Sequence, residues 1–461
     1  MSYRETVRYL YGLQQYGIKF GLDNITRLLS ELNNPHKSFL TVHVAGTNGK
    51  GSTSAMIASI LQCAGLRVGL FTSPHLVSFT ERVRINGLQI TEAEVVHLAA
   101  EIKDIASRID RFSPTFFEVV TAMALLYFGR QGIDAAVMEV GMGGRLDATN
   151  VIVPEVSVIT NISCDHKEFL GETLGEVAYE KAGIIKEGVP VVSSQQEPEA
   201  ERVLEKRAEE LHAGLYQYGK DFASVLKRED RSGICFDYRS NSLVIPDVVL
   251  PLAGEHQMQN ASVSIRAAEI ALRNAHVSRD SGADFIREGL KCVSWPGRLE
   301  FIREDPPIVI DGAHNPAAAV ALSHALKNLF LMEYEKIIVI LGIMADKDIA
   351  GIMRPLLPLA SEVILTSPSY RRAASPEELA GVAASLGFGN AQKSYSLREA
   401  LETAIRSASS GQLPGRALQG PGHSSISGRS SSLILITGSF YTIGEAKELL
   451  GQKGVLARLR E

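Results

Sequence analysis

The stretch TVHVAGTNGKGSTSAM, residues 41–56, decides how the first half of this chain folds. An apolar run through Val42, Val44 and Ala45 reads as a strand, a glycine-rich polar turn follows, and the next residues suit a helix. A turn of this kind offers backbone N–H groups and a helix N-terminus to phosphate oxygens, and a lysine adds charge. The candidate phosphate binders are Gly46, Thr47, Asn48, Gly49, Lys50, Gly51 and Ser52. The spelling departs from the usual G-x-x-x-x-G-K-[ST] pattern. Gly51 follows Lys50, the hydroxyl waits until Ser52, and Val44 stands where the first glycine belongs. A plain strand-to-helix turn is the competing reading.

Working outward, strand, turn and helix repeat. RVGLFTS is the next strand, and TFFEVVTAMALLYFGRQG is a helix apolar on more than one face, so it should be buried. IDAAVMEVG and VSVITNIS are unbroken apolar runs of the kind found in parallel sheets covered on both faces. Thr173 with Glu176 three residues on forms a capping-box signature, which makes residues 178–181 helical. Residues 213–252 change to short mixed segments, a β excursion, before the helix NASVSIRAAEIALRNA. Pro296 and Gly297, beside the lone Trp295, mark a domain boundary: 1–296 and 297–461. A second α/β series then runs through PIVIDG, KIIVILG, SEVILTS and SLILITGS, with Ser375–Pro376 opening a helix. Residues 407–432, rich in Gly, Ser and Pro, read as a surface loop with no catalytic role. Alternating strands and helices imply a doubly wound α/β fold.

The bulk properties exclude several classes. A length of 461 residues exceeds one ordinary core. The net charge of -5 argues against a nucleic-acid partner. Four cysteines with no C-x-x-C pair indicate neither a disulfide framework nor a zinc site. The first residues lack an apolar signal core, and no apolar run reaches the ~18 residues a membrane helix needs. The expectation is a cytoplasmic, multidomain, soluble protein with no membrane partner.

Other residues stand where chemistry happens. Glu139 ends an apolar strand, beside the crevice where open α/β sheets bind ligands. It is either a ligand for Mg²⁺, which prefers oxygen donors, or a strand-end carboxylate facing solvent. His166, in NISCDHKEFLG, taken alone suits a structural role, and no H-E-x-x-H zinc spacing occurs. Lys181 taken alone is a solvated cation in the last turn of a helix. IDGAHNP repeats the loop logic, with Asn315 as cap and Pro316 at the helix start, and sets Asp311 and His314 at the edge of the second domain. It is either a second face of the nucleotide site or an ordinary capped turn.

Taken together, GTNGKGS, TSPHL, ERVRINGLQI, FFEVVTAMAL, EVGMGGRLDATN, DHKEFLGETLGEVAYEKAGIIK, WPGRLE, DGAHNP and LGIMADKD resemble, in order, the folylpolyglutamate synthase family of the Mur ligase superfamily. The resemblance spans nearly the whole chain apart from the Gly/Ser-rich insertion. It implies an N-terminal P-loop-type Mur ligase ATPase domain with a mostly parallel sheet, and a smaller C-terminal Rossmann-like α/β domain. It also implies ATP and Mg²⁺, with L-glutamate and dihydropteroate or a reduced folate as small-molecule substrates, in an enzyme acting as a monomer. On the family pattern, Lys50 and the surrounding amides hold the β- and γ-phosphates, and Mg²⁺ sits on Ser73 and Glu139. A second metal meets His166 and a carbamylated Lys181. Asn260 contacts adenine, while Arg298, Asp311 and His314 reach the nucleotide or reacting centre. The bifunctional bacterial type, suggested by SPTFFE and GGRLDATN, places dihydropteroate at Thr115, Phe117, Asp147 and Ala148; Phe117 reads equally as a buried helix aromatic. A monofunctional polyglutamylating enzyme, a muramyl-peptide ligase and a nucleotide switch are the alternatives. No N-K-x-D stretch supports the last.

Overall fold

A computed structural model describes residues 1–17, 21–165, 167–275, 282–410 and 430–451. The first sheet contains β1 (Leu40–Ala45), β2 (Val68–Phe71), β3 (Val83–Ile85), β4 (Leu88–Gln89), β5 (Ala135–Glu139), β6 (Val156–Ile159), β7 (Val191–Ser193) and β8 (Leu215–Gln217). Their order is β4-β3-β2-β5-β1-β6-β7-β8, parallel from β2 to β8, with the β3–β4 hairpin as an antiparallel edge. The unbroken apolar runs are explained by burial on both faces. In β5, Ala135 and Val137 enter one core while Ala136 and Met138 enter the opposite one, because side chains alternate along a strand.

The first core is covered by the helices Lys50–Cys63 and His256–Asn274 and by a three-stranded antiparallel sheet. That sheet consists of β9 (Phe222–Asp230), β10 (Gly233–Ser240) and β11 (Val244–Leu250), so the expected β excursion is present, entered from β8 of the main sheet. The second core holds the helix Phe116–Arg130, buried as its sequence requires. Chain order reverses around β1, which lies between β5 and β6, and the crevice at the carboxyl ends of these strands is where such sheets bind ligands.

The third sheet contains β12 (Glu300–Glu304), β13 (Pro307–Ile310), β14 (Tyr334–Leu341), β15 (Glu362–Thr366), β16 (Gln392–Ser394) and β17 (Ser430–Thr437), ordered β12-β13-β17-β14-β15-β16. It is parallel except at β12. Ile338 and Ile340 face one core, Val339 and Leu341 the other. Leu76 and Val77 of the first body pack into one of these cores, so the two bodies share apolar contact. The capping boxes at Thr173/Glu176 and Ser375/Glu378 both form.

The expected loop at 407–432 is too broad. The helix Leu397–Ser410 runs into it, because Leu397, Ala400, Leu401, Ala404 and Ala408 continue one buried stripe. Ser432 already pairs with Lys336 in the sheet. Residues 411–429 lie outside the described residues. The four cysteines are free in the structure, and folding makes Cys63 and Cys292 hydrogen-bonded neighbours.

Candidate active site

The loop after β1 is pinned to the segment after β6. Thr47 N–H donates to the Asn161 carbonyl at 2.7 Å, and Thr47 Oγ1 donates to the Ser163 carbonyl at 2.9 Å. Two glycines are required by geometry. At Gly46 (φ +143°) a Cβ would lie 1.8 Å from Thr160 Oγ1, and at Gly49 (φ +89°) 2.4 Å from Asn260 Oδ1. Asn260 thus touches the loop from the helix His256–Asn274, its amide held by the Gln257 side chain at 3.0 Å.

Two lysines converge on one backbone carbonyl. Lys50 Nζ donates to the carbonyls of Gly46 and Thr47, each at 3.1 Å, and Lys181 Nζ donates to Gly46 O at 2.8 Å. Lys181 is 3% exposed, which overturns its reading as a solvated end-of-helix cation. The helix Leu174–Ala182 places it in its last turn, but on the inner face. Burial, reinforced by the Lys50 charge, pulls Lys181 down to about 7. Burial also lowers Lys50.

Glu139 is 4% exposed, not solvent-facing as its alternative had it, and its Oε2 accepts from Ser73 N–H at 2.9 Å. Burial raises its carboxyl to about 7, against the opposing pull of Lys50. Among the described residues no group of three or more His, Cys, Asp or Glu side chains is arranged to hold a metal. His166 lies outside the described residues. Ser73 and Glu139 offer hard oxygen donors beside the glycine loop and its Lys50, a donor set that fits Mg²⁺ accompanied by phosphate oxygens. A cation there would also stabilise the ionised form of Glu139.

The second body faces this loop. Asp311 accepts from Ala313 N–H at 2.9 Å and Leu299 N–H at 3.1 Å, so both its oxygens hold backbone, and burial raises its carboxyl. His314 Nδ1 donates to Gly312 O at 2.9 Å, leaving Nε2 as an acceptor. Nε2 is 3.9 Å from Asp165 Oδ2, but burial holds the imidazole at about 4, so it is neutral and this approach is no ion pair. The Arg298 guanidinium lies 5.0 Å from the Phe440 ring centroid.

The dihydropteroate candidates lie along the same space. Thr115 caps the helix Phe116–Arg130, with Glu118 completing the box. Phe117 is half-buried against Phe71, ring centroids 5.9 Å apart. Asp147 is engaged as a loop organiser: Oδ1 accepts from Thr149 N–H and Oγ1, and Oδ2 accepts from Met142 N–H. Ala148 is buried beside it. One cavity of about 840 Å³ is lined by every candidate catalytic, nucleotide, metal and substrate residue read from the sequence except His166.

Several lining residues escaped the sequence reading. Arg82, Phe116 and Gln14 line the first body's side, and Asp165 and Lys347 the seam. Asp165 Oδ1 pairs with Lys347 Nζ at 2.6 Å, both about nine-tenths buried. Asn48 and Asn315 exchange amide hydrogen bonds at 3.2 and 2.9 Å across the two bodies. Opposite charges in the turns after separate strands were the available signal, but nothing in spacing pairs positions 165 and 347.

A phosphate-type loop facing a second α/β body across one deep cavity defines the Mur ligase class. Family models agree: the Mur ligase middle domain matches residues 44–268, and the Mur ligase glutamate ligase domain matches 297–414. The dihydrofolate synthase/folylpolyglutamate synthase of Bacillus subtilis is 38% identical over 82% of this chain and 88% of its own length. That of Mycobacterium tuberculosis is 36% identical over 94% and 90%. The structure of Mycobacterium tuberculosis folylpolyglutamate synthase complexed with ADP superposes with a TM-score of 0.89 at 32% identity, covering 98% of this chain and all of that one. A structure described as an FPGS–AMPPCP–folate complex gives 0.81 at 33% identity, covering 98% and 100%. The chain belongs to the folylpolyglutamate synthase/dihydrofolate synthase family of ATP-dependent ligases.

Proposed function

We propose that this enzyme joins L-glutamate to dihydropteroate and to reduced folates, using ATP and Mg²⁺ and giving ADP and phosphate. The observation that carries it is the convergence of Lys50 and Lys181 on the Gly46 carbonyl. Two buried amines on one carbonyl do not both stay charged at low cost: an anion bound at the loop stabilises the Lys50 ammonium, while Lys181, near 7, is the one that sheds its proton. The β- and γ-phosphates supply that anion, held by Lys50 and the amides of residues 46–52. A carboxylate oxygen of the acceptor attacks the γ-phosphorus, ADP leaves, and an acyl phosphate forms. The glutamate amine then attacks the acyl carbon, loses its proton, and phosphate departs. Ser73 and Glu139 would hold Mg²⁺, which when bound would supply charge neutralisation for the transferring phosphoryl group. Ser52, displaced by the extra Gly51, is secondary to Ser73 as the hydroxyl ligand.

The remaining roles follow the same reading. Asn260 is assigned to adenine, and Arg298, Asp311 and His314 to the nucleotide and reacting centre. His166 and a carbamylated Lys181 are assigned to a second metal. A Lys181 amine near 7 supports the carbamate, because only the neutral amine adds CO₂. Thr115, Phe117, Asp147 and Ala148 are assigned to dihydropteroate, with Asp147 acting through the loop it organises. The division at residues 296/297 is kept as the seam across which the cavity closes and excludes water.

The test is ADP release in the presence of glutamate and either dihydropteroate or tetrahydrofolate. Release that requires an acceptor, and occurs with each, is expected. Turnover without any acceptor would sink the ligase reading, and activity with the reduced folate alone would leave a monofunctional polyglutamylating enzyme.

A further inference from the structure

Gly51 is the residue that breaks the usual spelling of the phosphate loop, and its backbone gives no reason for it. Gly46 and Gly49 have φ in the left-handed region, but Gly51 lies in the first turn of the helix Lys50–Cys63, a conformation any residue adopts. What excludes a side chain there is space. A Cβ on Gly51 would lie 2.9 Å from Trp295 Cζ2 and 3.3 Å from both Cε2 and Nε1. An indole is a rigid plate with two rotatable bonds, so it does not bend aside as a lysine stem would.

Trp295, the only tryptophan in the chain, packs half-buried against the first core. It is also held by Arg84, whose guanidinium carbon lies 5.5 Å from the indole centroid. Arg84 Nε donates to the Glu81 carbonyl at 3.2 Å. The Glu81 carboxylate accepts from the N–H groups of Leu76 (2.9 Å), Val77 (2.9 Å) and Ser78 (2.7 Å), which clamps the turn that follows Ser73. Beyond Trp295 the chain crosses to the second body. Gly297, at φ +79°, would aim a Cβ at Leu76 of the first body (3.0 Å) and Ile443 of the second (3.1 Å), and its carbonyl accepts from Gly312 N–H at 2.9 Å. Arg298 comes next and lines the cavity. The crossing segment is therefore seated on the start of the phosphate-loop helix just before it delivers Arg298.

We propose that Trp295 is a positioning residue for the nucleotide. Its indole fills the volume that Gly51 leaves open, and this one contact fixes both the N–H groups at the start of the helix Lys50–Cys63 and the reach of Arg298. The indole lies outside the cavity lining, so it acts through those two residues rather than on the nucleotide. The inference rests on the nucleotide reading of the loop given above. It gives the extra glycine a purpose: a side chain at position 51 would lift the crossing segment off the loop.

A double-mutant cycle on the full chain, read by titration calorimetry with AMPPCP and Mg²⁺, tests this. Gly51→Ala should weaken AMPPCP binding by roughly ten- to hundredfold in the native background, the scale of coupling between residues in contact. In Trp295→Ala, where the space is open, the same added methyl should cost about twofold or less. Trp295→Ala alone should raise the KM for ATP about tenfold while the KM for glutamate stays within about twofold. Trp295→Phe keeps an apolar ring but lacks the indole's reach; it should relieve part of the Gly51→Ala loss, and it carries the cycle if Trp295→Ala does not fold. An equal Gly51→Ala loss in every background would place the harm in the loop itself and overturn the proposal, as would Trp295 variants that lose stability but bind AMPPCP as the native protein does. Either result leaves the ligase reading standing. Failure of the native protein to bind AMPPCP would overturn the ligase reading and this inference together.

Discussion

Lys50 and Lys181 carry different burdens although they share a carbonyl. Lys50 sits at the first turn of the helix Lys50–Cys63, where backbone N–H groups add to its charge. Replacing it with methionine keeps the stem and removes the charge that, on the proposed mechanism, acts on the transferring phosphoryl group. The expected loss in kcat is about a hundred- to a thousandfold, the scale of one preorganised electrostatic donor. Steady-state rates of ADP release at saturating ATP measure it. Lys181 is expected to incorporate label when the protein is incubated with isotopically labelled bicarbonate, and Lys181→Ala should incorporate none at that site. A Lys181→Ala enzyme with normal turnover would remove the carbamate from the mechanism.

At the scale of the element, strand β1 holds a group that makes stability depend on acidity. His43 is fully buried, and its Nε2 lies 2.8 Å from Thr149 Oγ1. Thr149 gives its own proton to Asp147, so His43 Nε2 must donate, and Nδ1 is left buried without a partner. Burial, with the charge of Lys186, drives this histidine down to about 3 from an ordinary 6.5. Between those values the unfolded chain binds a proton that the folded one refuses, so stability falls as pH falls through this window. The contribution reaches roughly 3 kcal/mol by pH 4. Urea titrations at pH 7 and pH 4 should show His43→Leu losing less stability on acidification than the native protein by about that amount. Equal losses would show that His43 is protonated in the fold. Elements were legible where local signals sufficed: the glycine loop, the capping boxes, the two-faced apolar strands. The helix Leu397–Ser410 was cut short in the reading because "SASS" looks like a loop, and only the buried stripe through Ala408 reveals otherwise. Arg82 was passed over for a related reason. Its neighbours Tyr11, His75 and Phe116 are brought together by folding, not by sequence spacing.

Across the whole molecule, the two bodies are tied at the phosphate loop itself. Asn48 of the loop pairs with Asn315, which caps the helix Pro316–Ala325 through Ala318 N–H at 2.9 Å and also donates to Asp165 Oδ2 at 3.2 Å. Asp165 in turn holds Lys347. The loop proposed to hold phosphate is therefore one hydrogen bond from the second body, which would give nucleotide binding a short mechanical route to closure. Lys347→Met tests this route, because it leaves the Asp165 carboxylate buried against Asn315 without its cation. Removing one partner of such a buried pair costs about 3–5 kcal/mol, whereas removing both is far milder. Urea unfolding should therefore show a severe loss in Lys347→Met, substantially recovered in the double variant Asp165→Leu/Lys347→Met. The double variant should still bind AMPPCP more weakly than the native protein, since stability is restored but the tie to Asn315 is not. A neutral Lys347→Met would mean that the bodies do not meet through this pair in solution, and closure would then rest on the Asn48–Asn315 amides and the apolar contact of Leu76 and Val77.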